Sequence, residues 1–249
     1  MAKKLSDALA TSGLSAIIYG ESGIGKTHFC GTLPGKTLII AAEANGIKTL
    51  MRSQNINNIE VENLPAPGKT QQETTAAYDR FFEKLLMKDQ PYDNIVLDSA
   101  TELANQLMIN KTDLTKNGGA PGQHTYLEVQ WAMRRYLRTL RDLAVLQNKV
   151  VIITALESEL ILAQTMDAAS SKTHPALTGK KLSPEAEGLF DIVGRIEKLP
   201  NGTRYIRLEG NDTCVAKDRF GRKACVFDGA TFVAGKTGAE ENNNEKGDK

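Results

Sequence analysis

The sequence predicts an α/β protein with a mainly parallel sheet and a small antiparallel edge toward its C-terminal end. Three observations predict it: short apolar runs at residues 14–19, 37–41, 94–97 and 150–154, helical periodicity between them, and a turn-flanked pair of runs after about residue 190. A near-continuous apolar run marks a strand covered on both faces, whereas a strand with one wet face alternates. Strands alternating with helices require crossover connections, and those make parallel neighbours.

Taken in order, Leu14-Ser15-Ala16-Ile17-Ile18-Tyr19 is the first strand and Thr37-Leu38-Ile39-Ile40-Ala41 the second, with a weaker strand expected over 59–64. Residues 71–88 read as a helix. Ala77, Phe81 and Leu85, with Tyr78, Phe82 and Leu86 on neighbouring rows, recur at three- and four-residue spacing until Pro91 ends the run. Asn94-Ile95-Val96-Leu97 is the next buried strand. Residues 126–147 repeat the helical pattern through Met133, Tyr136, Leu137, Leu140 and Ala144, and Val150-Val151-Ile152-Ile153-Thr154 follows as a further buried strand. Beyond it, residues 192–199 and 203–209 flank Pro200-Asn201-Gly202, an Asn-Gly hairpin signal. Residues 1–235 are expected to form one domain, since single cores stop growing near roughly 250–300 residues. Residues 236–249, rich in Asn, Glu, Lys and Gly, are expected to be a disordered tail.

Composition narrows the function classes. Hydrophobic residues make up 41% of the 249 and charged residues 24%, which excludes wholly disordered, collagen-like and coiled-coil chains. No run approaches the roughly 18 apolar residues of a membrane helix, and the opening Met1-Ala2-Lys3-Lys4-Leu5-Ser6-Asp7 lacks the apolar stretch of a signal peptide, so no membrane partner and a cytoplasmic location are expected. Cys30, Cys214 and Cys225 are odd in number and without metal-ligand spacing, which reads as reduced thiols. The net charge of +1 conceals an asymmetry: residues 40–110 hold 6 Lys/Arg against 10 Asp/Glu, while residues 131–225 hold 16 against 11.

The decisive motif is Gly20-Glu21-Ser22-Gly23-Ile24-Gly25-Lys26-Thr27, a full match to G-x-x-x-x-G-K-[S/T], continued by His28. It follows a buried strand and opens a helix, as the mechanism requires. Glycines let the backbone wrap closely enough for its N–H groups to point at phosphate oxygens, lysine reaches the β- and γ-phosphates, and the threonine hydroxyl ligates Mg²⁺. ATP and Mg²⁺ are therefore the expected ligands. Asp98 ends a buried strand expected to adjoin the loop and is the candidate second metal residue, with a helix N-cap as its other reading. For a base that activates water, Glu43 closes the second strand at the edge where parallel sheets place ligands; Glu102, one helical turn past Asp98, is the substitute.

These residues together resemble the RecA/DnaB-type P-loop NTPase core: the loop, the strand and Glu in Ile39-Ile40-Ala41-Ala42-Glu43-Ala44, and Asp98-Ser99 after Asn94-Ile95-Val96-Leu97. The resemblance implies that Glu43 is the water-activating carboxylate. Val215-Ala216-Lys217-Asp218-Arg219-Phe220-Gly221 is similar to the Lys-x-Arg segment of DnaB-type helicases, which implies that Lys217 and Arg219 enter a neighbouring subunit's ATP site as a finger; an exposed turn is their other reading. More narrowly, Pro34, Thr178-Gly179-Lys180, Phe190-Asp191-Ile192-Val193 and Ala216-Lys217-Asp218-Arg219 resemble small phage-encoded AAA-type ATP-binding proteins, including RecA-like single-strand annealing ATPases. One departure stands out. RecA-like recombinases carry an Asn-Gln pair after the strand matching 150–154, where this chain has Thr154-Ala155-Leu156-Glu157.

The resemblance implies single-stranded DNA, a homo-oligomer and a single-strand-binding or replication protein as partners. Two loops are expected at the DNA-facing edge, residues 111–126 with Lys116 to His124, and residues 158–181 with Lys172, His174, Lys180 and Lys181. Arg134, Arg138 and Arg141 with Arg135 form a cationic stripe, readable as a DNA contact, a solvated face or a subunit contact. The expected function is a Mg-ATPase in DNA recombination or single-strand annealing. The alternative is a nucleotide-gated loader or assembly factor for a replication protein, and a nucleoside kinase is a weaker third.

Overall fold

The computed structural model describes residues 13–43, 46–65, 71–112, 117–165, 168–179 and 182–235. The expected tail at 236–249 and Lys116, Lys180 and Lys181 lie outside the described residues. The described residues form a mixed α/β fold. Its sheet of ten strands follows the order β10-β8-β7-β1-β5-β4-β2-β3, with β6 and β9 attached to β5 and β7. The strands are β1 (Leu14–Gly20), β2 (Thr37–Ala41), β3 (Ile59–Asn63), β4 (Asn94–Asp98), β5 (Val150–Thr165), β6 (Ala168–Pro175), β7 (Ile192–Lys198), β8 (Arg204–Arg207), β9 (Lys217–Asp218) and β10 (Ala224–Val226). From β3 through β7 every neighbouring pair is parallel, while β8, β9 and β10 pair antiparallel at the C-terminal edge.

The apolar runs have two dry faces because helices cover both sides. On one face Ile17, Leu38, Ile40, Ile95, Leu97, Val151 and Ile153 meet α2 (Gln71–Met87), α3 (Ala100–Lys111), α4 (Gln123–Gln147) and α5 (Leu182–Leu189). On the other, Ala16, Ile18, Ile39, Val96 and Ile152 meet Phe29 and Cys30 of α1 (Lys26–Cys30) and Phe232 of α6 (Gly229–Ala234). Residues alternate between the two clusters along each strand, which is the period of the pleat. In α2, Tyr78, Phe82 and Leu85 are buried, and Phe82 stacks on Tyr136 of α4 with ring centroids 4.4 Å apart. The outer strand β3 carries Glu60 and Glu62 at an exposed edge, where charge discourages pairing with another chain.

Two loop expectations are corrected. Residues 158–181 are largely not a loop: β5 runs on past the sheet and returns as β6 in a hairpin, from Glu157↔Pro175 to Thr165↔Ala168, with an irregularity between Ile161 and Ala163. Each arm satisfies the other's backbone groups, so the polar return arm needs no apolar run to be a strand. In the 111–126 segment, α4 begins at Gln123 behind Gly122, three residues earlier than expected, and a 3₁₀ turn spans Asn117–Gly119.

Leu140 of α4 is fully buried, whereas Val145 on the same helix is exposed. Leu140→Ala is expected to lower the free energy of unfolding by about 2–5 kcal/mol through the lost burial and the cavity left behind. Val145→Ala should change it by about 0.5 kcal/mol or less; denaturant titration of the two variants measures both.

Candidate nucleotide site

All the parallel strands point their C-terminal ends to one edge, and the glycine loop lies there between β1 and α1. Gly23 (φ 77°) and Gly25 (φ 113°) hold the left-handed conformations that the wrapped loop demands, which side chains on Cβ resist. Glu21, Ser22 and Gly23 are exposed, while Ile24 packs against the α1-face core. Lys26 Nζ donates to the carbonyls of Gly20 (2.9 Å) and Glu21 (2.7 Å). Burial pulls the Lys26 ammonium below the ordinary lysine value, opposed by the carboxylates of Asp98, Glu43 and Glu157.

Thr27 Oγ1 donates to Asp98 Oδ2 at 2.6 Å, although 71 residues separate them. The end of the strand bearing Asp98 adjoins the loop as expected, although that strand does not neighbour the loop's own strand: β5 lies between β1 and β4. The intervening strand supplies Thr154, fully buried, whose Oγ1 donates to Asp98 Oδ1 at 2.5 Å. Both carboxylate oxygens are thus engaged by hydroxyls from two different elements. Helix α3 is capped instead by Ser99, whose Oγ accepts from Glu102 N at 3.3 Å. The Asp98–Ser99 peptide is cis.

Glu43 is exposed, two residues beyond Ala41, the register partner of Asp98. A Cβ on Gly46 would lie 3.8 Å from Asp98 Oδ2 and 4.0 Å from Glu43 Oε2, so the two carboxylates open onto the same space. The chain just before Glu43 is pinned: Ala42 N donates to Asp98 O at 2.8 Å, and Ala42 O accepts from Gln106 Nε2 at 2.7 Å. Tyr78 Oη in turn donates to Gln106 Oε1 at 2.9 Å. Glu102 lies on α3 beside Asn105 and Gln106, which contact its carboxylate at 3.4 and 3.5 Å. Gln106 was not singled out from sequence, because a glutamine in a helix is an ordinary residue there, and Thr154 was marked only as a departure from the Asn-Gln pair, with no role.

Lys217 and Arg219 are not brought to this chain's own loop. Lys217 Nζ donates to Glu187 O at 2.5 Å, and Arg219 bonds Asp191 Oδ1 at 3.0 Å and Gly188 O at 3.2 Å. Asp191 also accepts from Ser15 N and Ser15 Oγ at the start of β1. Arg219 therefore sits near the opposite end of β1 from Gly20, about 17 Å away at the usual rise per strand residue. Three of the four stripe arginines are also engaged, Arg134 with Glu185, Arg135 with Asp79 at 2.5 Å and Arg141 with Asp142 at 2.5 Å, while Arg138 is exposed. Tyr19, just before the loop, donates to Val215 O (2.5 Å) and Thr173 O (3.3 Å), tying β1 to the hairpin and to the segment that leads into Lys217.

Thr27 and Asp98 present oxygen donors side by side, a chemistry suited to a hard cation such as Mg²⁺ completed by phosphate and water oxygens. Among the described residues no cluster of three or more His, Cys, Asp or Glu offers an all-protein metal cage. A glycine loop whose threonine is bound to a carboxylate two strands away belongs to the P-loop nucleotide-binding ATPases. The family comparison bears on the same point: the model of the AAA domain family matches residues 12–220, and the chain belongs to that family, whose members generally hydrolyse ATP. None of the curated proteins compared with the chain matches it. Among the described residues no helix is long and apolar enough to cross a membrane.

Glu187, beneath Lys217, gives this region a pH dependence. Burial raises its carboxyl to about 7, opposed by Lys172 and Lys217. The folded chain then binds more protons than the unfolded one between about pH 4.5 and 7, so this group's contribution to stability falls as pH rises through that window. Glu187→Gln is expected to remove that decline, a gain at pH 8 of roughly 1–2 kcal/mol after discounting for partial exposure. Denaturant titrations of wild type and variant at pH 5, 6, 7 and 8 measure it.

Proposed function

We propose that the chain is a Mg-dependent ATP hydrolase that acts as an oligomer on single-stranded DNA in recombination or annealing. The observation that carries the ATPase part is the Thr27–Asp98 contact with Glu43 opening onto the same space. The loop N–H groups and Lys26 receive the phosphates, with Lys26 exchanging the carbonyls of Gly20 and Glu21 for phosphate oxygens. Asp98, Glu43 and Glu157 favour the charged form of Lys26 against its burial. Thr27 and Asp98 would hold Mg²⁺, which when bound neutralises phosphate charge. Thr154 keeps the Asp98 carboxylate turned toward Thr27. Glu43 orients a water on the γ-phosphorus and takes its proton as the new P–O bond forms and the bond to the bridging oxygen of ADP breaks.

The DNA part is supported by the path of β5. The strand that touches Asp98 through Thr154 continues without a break into the hairpin bearing Lys172 and His174, so a surface beyond the sheet shares one strand with the nucleotide site. The ion pairing of Arg134, Arg135 and Arg141 shifts the DNA reading from the α4 stripe to this hairpin. Lys217 and Arg219, remote from their own loop, are left to act on a neighbouring subunit's site, as the Lys-x-Arg resemblance implies. A second reading, a nucleotide-gated loader for a replication protein, is favoured by Trp131 and Leu127. They are 65% and 49% exposed one helical turn apart on α4, an apolar pair of the kind that protein partners cover.

Lys26→Ala is expected to weaken ATP binding at least about tenfold, the loss of one strong charge contact. Glu43→Gln should preserve binding and lower turnover by about 10²–10⁴; nucleotide titration and phosphate release separate the two. Turnover is expected to rise several-fold with single-stranded DNA under conditions where a mass measurement shows an oligomer. Turnover indifferent to DNA from a monomer would leave the loader.

A further inference from the structure

The residues above serve the phosphates, the metal and the water, and leave the nucleoside end without a binding surface. Gly25 shows where one lies. The position of a Cβ on Gly25 is 3.1 Å from Phe227 Cζ and 3.6 Å from Arg204 Nε. Two side chains from the C-terminal edge, one on β8 and one just past β10, thus close over the last glycine of the loop. The Phe227 ring lies nearly parallel to the His28 imidazole, with centroids 6.1 Å apart and 15° between planes. The Arg204 guanidinium stands 5.7 Å from the Phe227 centroid, and Arg204 Nε is buried without a hydrogen-bond partner. All three residues are only partly buried.

We propose that His28, Phe227 and Arg204 form the platform that receives the nucleobase, an assignment that rests on the nucleotide reading above. Lys26 serves the β- and γ-phosphates, so the α-phosphate end of the chain, which carries the ribose, points away from Lys26 toward His28 and the residues stacked on it. A base is a flat π surface that gains from aromatic and guanidinium planes, and stacking tolerates any base because it reads the surface and not the edge. Arg204 carries donors only, and N7 is an acceptor in adenine and guanine alike. The platform therefore takes purine nucleoside triphosphates with little preference between the two. Phe227 also meets Phe29 of α1 at 5.7 Å, so the base platform and the helix after the loop share one aromatic contact.

The test is equilibrium binding of ATP, GTP and inorganic tripolyphosphate to the full chain, as wild type, Phe227→Leu and Arg204→Gln. Leucine keeps apolar contact with Phe29, and retained tripolyphosphate binding reports an intact loop. The expected result is ATP and GTP within about threefold of each other and at least about tenfold tighter than tripolyphosphate in the wild type, with each substitution lowering both nucleotide affinities about tenfold and sparing tripolyphosphate. Equal losses for nucleotide and tripolyphosphate, or unchanged ATP affinity in both variants, would overturn the platform alone. ATP binding more than tenfold tighter than GTP would overturn its tolerance of both purines. Wild-type protein that binds neither ATP nor tripolyphosphate would overturn the nucleotide reading and the platform with it.

Discussion

The carboxylate of Asp98 is the constraint around which the site is organised. One oxygen takes the hydroxyl of Thr27 from the glycine loop and the other the hydroxyl of Thr154 from the strand between. That geometry needs β1, β5 and β4 to run in the same direction, so that three C-terminal ends meet at one edge. With β5 in the middle, its Thr154 is the third element that holds the carboxylate. The apolar character of these strands, with Ile17, Val96 and Ile152 all fully buried, keeps the edge level enough for hydrogen bonds of 2.5–2.6 Å to span it.

The sequence patterns legible in one dimension were those the two-faced core imposes. Residues 14–19, 37–41, 94–97 and 150–154 could be read as strands because both faces had to be dry, and residues 71–88 as a helix because one face did. Lateral order was not legible. Nothing along the chain says that 150–154 inserts between 14–19 and 94–97, since apolar strands of similar length are interchangeable partners until their crossovers are folded. The hairpin was missed although its first arm carries the apolar run Leu160-Ile161-Leu162-Ala163; its pairing is local and antiparallel, which leaves the return arm Ala168–Pro175 free to be polar. Within the site, the loop itself was explicit in its glycines and lysine, whereas Thr154, Gln106, Arg204 and Phe227 act through neighbours far off in sequence.

Charge behaved differently from apolar pattern. The excess of cations in residues 131–225 is a property of the sequence, yet Arg134, Arg135, Arg141, Arg195, Arg207, Arg219 and Arg222 each face a carboxylate. Several of these pairs add polar cross-links between elements that share a core or a sheet: Arg134–Glu185 links α4 to α5, and Arg195–Glu157 links β7 to the base of the hairpin. Arginine is suited to this because its planar fork can engage a carboxylate through two donors at once, as Arg195 does with Glu157. The surplus of one sign along a segment therefore measures how many cross-links the segment makes as much as how much field it projects.

The length of β5 gives the molecule a mechanical property. From Thr154 to Thr165 the strand extends for about 36 Å at the usual rise per residue. The strand is paired to β1 as far as Leu156, and the return arm is held at Thr173 by Tyr19, Thr213 and Val215, so the part that the sheet does not hold begins beyond Glu159, the partner of Thr173. From Glu159 to Thr165 is about 20 Å, and a tilt of about 5° there would carry the far end through about 2 Å. The irregularity between Ile161 and Ala163 is the point along the arm where such a motion would be absorbed if it were resisted at the tip.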